Sequence, residues 1–193
     1  MPATKRARKP QPPPDLDMRD LSAVGANLHT SAREFFGASA SRCFRHSRAT
    51  GSIRLRVETP GRTRALSVQT HRMTKSLLAT YNDLQDATEH GAYGVALLTA
   101  ATQLGATIAD RSFKGTGFDF HLNPPGGSAY VDPDDIFAGK WALEVSGILV
   151  GDAATVLARL NQKRSQVAAA TKLLPTLVAI VEFSEASTIL DLQ

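Results

Sequence analysis

The chain has 193 residues, 42% of them hydrophobic, enough for one ordinary core. Its single cysteine, Cys43, excludes an internal disulfide framework and a Cys-rich zinc or Fe–S site. Apolar runs such as 141–145 and 177–181 fall far short of the ~20 residues of a membrane span. The N-terminus also lacks the apolar core of a secretory signal, so the expectation is a cytoplasmic protein with no membrane association.

The net charge of +4 is unevenly spread. Residues 1–72 carry 14 Lys/Arg against 5 Asp/Glu, and residues 73–193 carry 8 against 13. A basic arm on an acidic body suits contact with polyanions, while solubility alone is the plainer reading. Residues 1–14 combine Lys5-Arg6-Ala7-Arg8-Lys9 with Pro10, Pro12, Pro13 and Pro14 and have too little apolar surface to offset the entropy of ordering. The stretch 37–52 is rich in Ser, Ala and Arg, a composition also found in organelle transit peptides, although the early prolines oppose a targeting helix. Residues 1–50 are therefore expected to be a largely disordered basic arm, and 51–193 a folded domain.

In the domain, Ile53-Arg54-Leu55-Arg56-Val57 alternates and Thr59-Pro60-Gly61-Arg62 has turn chemistry. With residues 65–70 returning, this predicts a hairpin with one arginine-bearing face. Leu77, Tyr81, Leu84, Thr88, Gly91, Val95 and Leu98 describe one stripe of a long helix over 74–104, ended by Gly105. Residues 117–122 and 141–146 alternate as strands, with a polar loop around Asp132-Pro133-Asp134-Asp135 between them. That loop lacks the glycine and distal glutamate of a calcium-binding EF-hand. Asp152 caps a helix over 153–171, and residues 177–183 read as a fully buried strand. The order β-β-α-β-β-α-β predicts an α/β fold, a three-layer-like sandwich around a central mixed sheet.

The chemistry lies in the two middle strands. The pleat puts Phe118, Phe120 and Leu122 on one face and Asp119 and His121 on the other. It likewise separates Trp141, Leu143 and Val145 from Ala142, Glu144 and Ser146. If the faces match, Asp119 lies beside Glu144. Two close carboxylates in a half-buried place call for a proton or a divalent cation, and hard oxygen donors suit Mg²⁺ or Mn²⁺. An ordinary solvated face is the alternative. On the next helix Arg159, Lys163 and Gln166 recur at i, i+4, i+7, and Lys163 lies within the apolar stripe of Val156, Leu160 and Val167. Cations aimed at a sheet need carboxylates, a bound phosphate, or room for their stems to reach water.

A helix with Glu89, strands with Asp119 and Glu144, then a helix and a strand together resemble the core of the restriction-endonuclease-like PD-(D/E)XK superfamily. The matching stretches are Thr88-Glu89-His90-Gly91-Ala92, Gly115-Thr116-Gly117-Phe118-Asp119 and Leu143-Glu144-Val145-Ser146-Gly147, within residues 74–184. The resemblance implies that Asp119 and Glu144 hold the divalent metal and that Glu89 assists. Two positions depart from the pattern: Ser146 stands in the usual Lys position, and Phe118 where Pro often precedes the Asp. Lys163 is the candidate for a migrated Lys. Glu89 itself falls off the main apolar stripe, as a rim residue would.

These readings lead to a metal-dependent nuclease acting on DNA, or in second place on RNA, with Asp119, Glu144, Lys163 and Glu89 in the catalytic set. The carbonyl of Val145 is a further candidate for the metal. Arg159, Gln166, Arg54, Arg56, Arg62, Arg64 and Lys114 are the candidates for phosphate contacts. Two alternatives stand beside it: an inactive nuclease-like module that binds nucleic acid or a protein partner, and a scaffold with no nucleic-acid role.

Overall fold

A computed structural model of the protein describes residues 15–47, 53–127, 139–168 and 170–193. Its first described segment departs from the expected arm. Residues 15–47 supply strand β1 (Leu16–Asp17) and helix α1 (Thr30–His46), and Leu16, Met18, Phe36, Cys43 and Phe44 are buried in the main core. The small side chains that suggested disorder are the reason α1 packs so closely. A Cβ on Gly91 would lie 2.8 Å from the Ala40 backbone nitrogen, and one on Gly94 3.0 Å from the Phe36 carbonyl oxygen. Phe36, Ser39 and Ala40 are thus the contact points for a second helix, while Gly37 lies against the Met18 carbonyl. The Lys5–Lys9 cluster, its prolines and the Asp132–Asp135 loop lie outside the described residues.

Strands β2 (Ile53–Thr59) and β3 (Arg62–Gln69) form the expected hairpin. Its register separates the arginines, however. Arg56 faces Ala65 and Arg54 faces Ser67 on the outer surface, whereas Arg64 faces Val57 and Arg62 faces Thr59 on the surface that continues the core side. Opposed residues of an antiparallel pair share a face, so the hairpin has no single arginine-bearing face. Glu58 pairs with Arg56 at 3.2 Å, and Gln103 accepts a hydrogen bond from Arg64 at 3.1 Å.

The long helix is two helices. Helix α2 (Lys75–Thr80) ends before Asp83, whose carboxylate caps α3 (Leu84–Thr99) by accepting from the Gln85 and Asp86 amides. A π-helical turn over Ala100–Leu104 extends α3 to Gly105, which ends it in a left-handed conformation (φ 73°).

The remaining elements are β4 (Thr107–Arg111), β5 (Phe120–Asn123), β6 (Trp141–Ile148), α4 (Ala153–Val167), β7 (Thr176–Glu182) and β8 (Ser187–Leu192). All eight strands join one mixed sheet in the order β1-β3-β2-β8-β7-β6-β5-β4. β7 is buried at every position and pairs parallel with β6 and antiparallel with β8. Its alternation divides the core: Leu177, Ala179 and Val181 join the cluster of α1 and α3, while Val178 and Ile180 pack on Val156, Leu160 and Val167 of α4. Helices therefore cover the middle of the sheet from both sides. Among the described residues no helix is long and apolar enough to cross a membrane.

Candidate functional site

The site forms where the sheet opens. Pairing of β5 with β6 begins at Phe120–Leu143, yet β6 continues to Ile148 with no β5 partner. The chain turns away at Asp119, whose amide still donates to the Leu143 carbonyl at 2.9 Å. The Asp119 carboxylate then takes the place of the next strand acceptor, receiving the Val145 N–H at 2.8 Å. Phe118, expected on the face of Phe120 and Leu122, instead packs with Ala142 and Leu174, while those two join the main core. The break in alternation at 118–119 is what opens the cleft.

Glu144 is the next β6 residue. Its side chain is only 4% exposed and is ion-paired with Lys163, 18% exposed, and it accepts a second hydrogen bond from the Gln166 amide at 3.1 Å. Lys163 also donates to the Gln166 side-chain oxygen at 3.0 Å. One turn earlier on α4, Arg159 donates to the Ser146 hydroxyl at 2.9 Å. All three polar residues of the α4 line thus reach the sheet, and the Ser146 hydroxyl is bound to a guanidinium.

From the other side, α3 brings Glu89 and Tyr93, one helical turn apart. The Tyr93 hydroxyl lies 3.1 Å from a Glu89 oxygen and 3.0 Å from Asp119 Oδ1. Glu89 is exposed, as expected of a rim residue, and Tyr93 links it to Asp119. Close approach of α3 depends on Gly147, where a Cβ would meet the Thr88 carbonyl oxygen at 2.5 Å.

These groups line one cleft of about 1000 Å³, which takes in Glu89, Tyr93, Asp119, Glu144, Ser146, Arg159, Lys163 and Gln166 together with Arg111 and Lys114. Arg54, Arg56, Arg62 and Arg64 do not line it; the hairpin pairs with β1 and β8, far along the sheet order from β5. Tyr93 and Arg111 escaped the sequence reading. Tyr93 could have been found as the i+4 neighbour of Glu89, whereas nothing in the spacing points to Arg111. The Arg111 guanidinium lies 5.6 Å from the Tyr93 ring centroid and 5.9 Å from that of Phe120.

Burial sets the electrostatics. Desolvation raises the pKa of Asp119, with the nearby Glu89 charge adding to it, while the Val145 N–H, Tyr93 and Lys163 pull it down. Glu144 is also raised, first by desolvation and then by the negative charge of Asp119, against the opposing effect of Lys163 and Gln166. Burial likewise raises the Tyr93 phenol, with the charges of Asp119 and Glu89 adding to it, so the group remains a neutral donor. Three carboxylates, Glu89, Asp119 and Glu144, face four cations, Arg111, Lys114, Arg159 and Lys163, so burial and not surplus negative charge is the main reason the carboxylates are raised.

A desolvated carboxylate pair is relieved by a proton or by a divalent cation. Mg²⁺ keeps several waters and is commonly held by one or two carboxylates plus substrate oxygens, and Asp119 and Glu144 are the residues here that would hold it. Among the described residues no group of three His, Cys, Asp or Glu side chains forms a closed cage, which is the arrangement a dedicated structural site would need. No family model, curated protein or solved structure matches the chain.

Proposed function

We propose that this chain is a metal-dependent phosphodiesterase of the PD-(D/E)XK type acting on DNA, with RNA the second candidate. The observation that carries the reading is the meeting of Asp119, Glu144 and Lys163 in one cleft, with both carboxylate pKa values raised. Helices on both faces of the sheet centre support the three-layer arrangement that goes with this superfamily.

In this reading Asp119 and Glu144 hold Mg²⁺ or Mn²⁺, which when bound supplies Lewis acidity at the scissile phosphate and a more acidic water. The chain's own groups do the rest. Lys163 carries a positive charge to Glu144 and stands ready to hold the charge that develops on the phosphate oxygens. Gln166 fixes Lys163 and Glu144 relative to each other. Arg159 and Lys114 contact phosphates at the rim, and Tyr93 holds Asp119 toward the cleft with Glu89 behind it.

Incubation with Mg²⁺ of supercoiled plasmid and, beside it, of single-stranded circular DNA tests the proposal, nicking of either one counting for it. Nicking should appear, stop with EDTA, and fall on the order of 10²-fold in Lys163→Ala, the loss typical of one transition-state donor. Asp119→Ala/Glu144→Ala should be inactive and should lose the thermal stabilisation that Mg²⁺ gives the native chain. Equal nicking by that double variant would remove the catalytic assignment. A second reading, a binding module without hydrolysis, is favoured by Ser146 in the Lys position; it expects nucleic-acid or protein binding that persists in EDTA and no cleavage.

A further inference from the structure

The rim of the cleft carries a side chain that the proposed chemistry leaves unused. Phe113 is 82% exposed, the most exposed large apolar side chain among the described residues. It stands at the cleft mouth in the loop between β4 and β5, next to Lys114 and two residues after Arg111. Such a ring in water is unfavourable, and among the described residues no packing role accounts for it.

The loop is built to hold it there. The Thr116 amide donates to the Phe113 carbonyl at 3.3 Å and the Thr116 hydroxyl to the same carbonyl at 3.0 Å, and Ser112 and Thr116 share a hydrogen bond through their hydroxyls. Gly115 (φ 101°) and Gly117 (φ 86°) supply backbone conformations that a side chain would strain. The Ser112 amide donates to the Asp119 carbonyl at 2.9 Å, which ties the loop to the residue carrying the first carboxylate. The backbone that carries the ring is therefore held at the cleft mouth.

We infer that Phe113 is a stacking platform for an unpaired nucleobase next to the phosphate held in the cleft, so that the substrate is a single strand, flap or frayed end and not continuous duplex. The inference rests on the nuclease reading and names its substrate class. A phenyl ring gains from a base only through an exposed π-face, and within a duplex each base face is already covered by its neighbours. Cationic Arg111 and Lys114 on either side in sequence supply the backbone attraction that such a platform works with.

Anisotropy of fluorescein-labelled oligonucleotides in EDTA, at fixed low salt, tests it on a single strand, a flapped duplex and a blunt duplex. The native chain should prefer the first two. Phe113→Ala should weaken them roughly 5- to 150-fold, the range for losing one aromatic–base stack, while leaving the duplex unchanged. Phe113→Trp should restore binding, and 2-aminopurine in the single strand should be quenched by the native chain and not by Phe113→Ala. Equal affinity of Phe113→Ala and the native chain for the single strand would overturn the platform, as would an equal loss on all three substrates. Cleavage is read separately, on the single strand with Mg²⁺: cleavage together with binding that does not depend on Phe113 removes the platform alone, and Phe113-dependent binding without cleavage removes the hydrolase alone.

Discussion

At the scale of single residues, the cleft trades stability for a charge arrangement. Asp119 and Glu144 both have folded pKa values raised above the ordinary carboxylate range, chiefly by burial. For a carboxylate raised on folding, the native state binds the proton more tightly than the unfolded chain. Its contribution to stability is complete below the ordinary value, near 4, and is lost as pH rises through the higher folded value. At neutral and alkaline pH the ionised pair is therefore a burden. Asp119→Asn removes one charge, keeps an oxygen for the Val145 N–H, and leaves the Tyr93 hydroxyl free to donate to Glu89. The variant should melt about 2–4 °C higher than the native chain at pH 8 without divalent ions, as expected for about 1 kcal/mol in a chain of this length. The gain should fade as pH approaches 4, and saturating Mg²⁺ should narrow it by stabilising only the native chain. An unchanged Tm difference from pH 8 to pH 4 would show that the Asp119 charge is not the destabilising group.

At the scale of elements, the site is a matter of how closely α3 lies on β6. Gly147 faces α3 with no room for a methyl group: its Cβ would fall 2.5 Å from the Thr88 carbonyl oxygen and 2.8 Å from the Thr88 side-chain methyl. A backbone oxygen cannot rotate aside, so Gly147→Ala must push α3 outward. The cost should be about 1–3 kcal/mol, the range for overpacking, read as a lower urea midpoint with an unchanged slope. Because α3 carries Tyr93 and Glu89, the same shift should reduce nicking beyond what the stability loss explains, while Gly126→Ala, with open space around its Cβ, should leave the cleft untouched apart from backbone strain in its own loop. This strand and the helical line of Arg159, Lys163 and Gln166 are legible in the sequence, because both follow from periodicity alone. Alternation also sets Asp119 opposite Glu144, as the β5–β6 register does, but it keeps Phe118 with Phe120 and Leu122, whereas the pleat breaks at Phe118. That break is a tertiary effect, made where Phe118 finds Ala142 and Leu174, and no local pattern announces it. β4 and β8 were missed because Thr107–Arg111 and Ser187–Leu192 mix polar and apolar residues without a strong strand signature.

At the scale of the molecule, the boundary between arm and domain moves most. Composition places residues 15–47 with the basic segment, because Ser, Ala, Gly and Arg lower mean hydropathy in exchange for no visible stripe. The fold uses those small residues to let α1 lie against Gly91 and Gly94, and the apolar residues between them do the anchoring. Phe44 packs edge-on to Phe183 with centroids 5.0 Å apart, and Phe36 meets Tyr93 at 5.6 Å and Phe120 at 6.4 Å. Helix α1 thus sits beneath the ring of Tyr93, whose hydroxyl holds Asp119, and β1 pairs with β3 at the sheet edge. Removing residues 1–47 would strip both elements and expose the faces they cover. Truncating one buried Phe to Ala costs about 3–5 kcal/mol, so losing Phe36 and Phe44 together consumes most of the roughly 5–15 kcal/mol by which domains are stable. The truncated chain should show no cooperative melting transition and a collapsed near-ultraviolet circular dichroism signal. A chain lacking 1–47 that still melts cooperatively and still responds to Mg²⁺ would return α1 to the status of a dispensable arm, and would detach the candidate site from the helix beneath it.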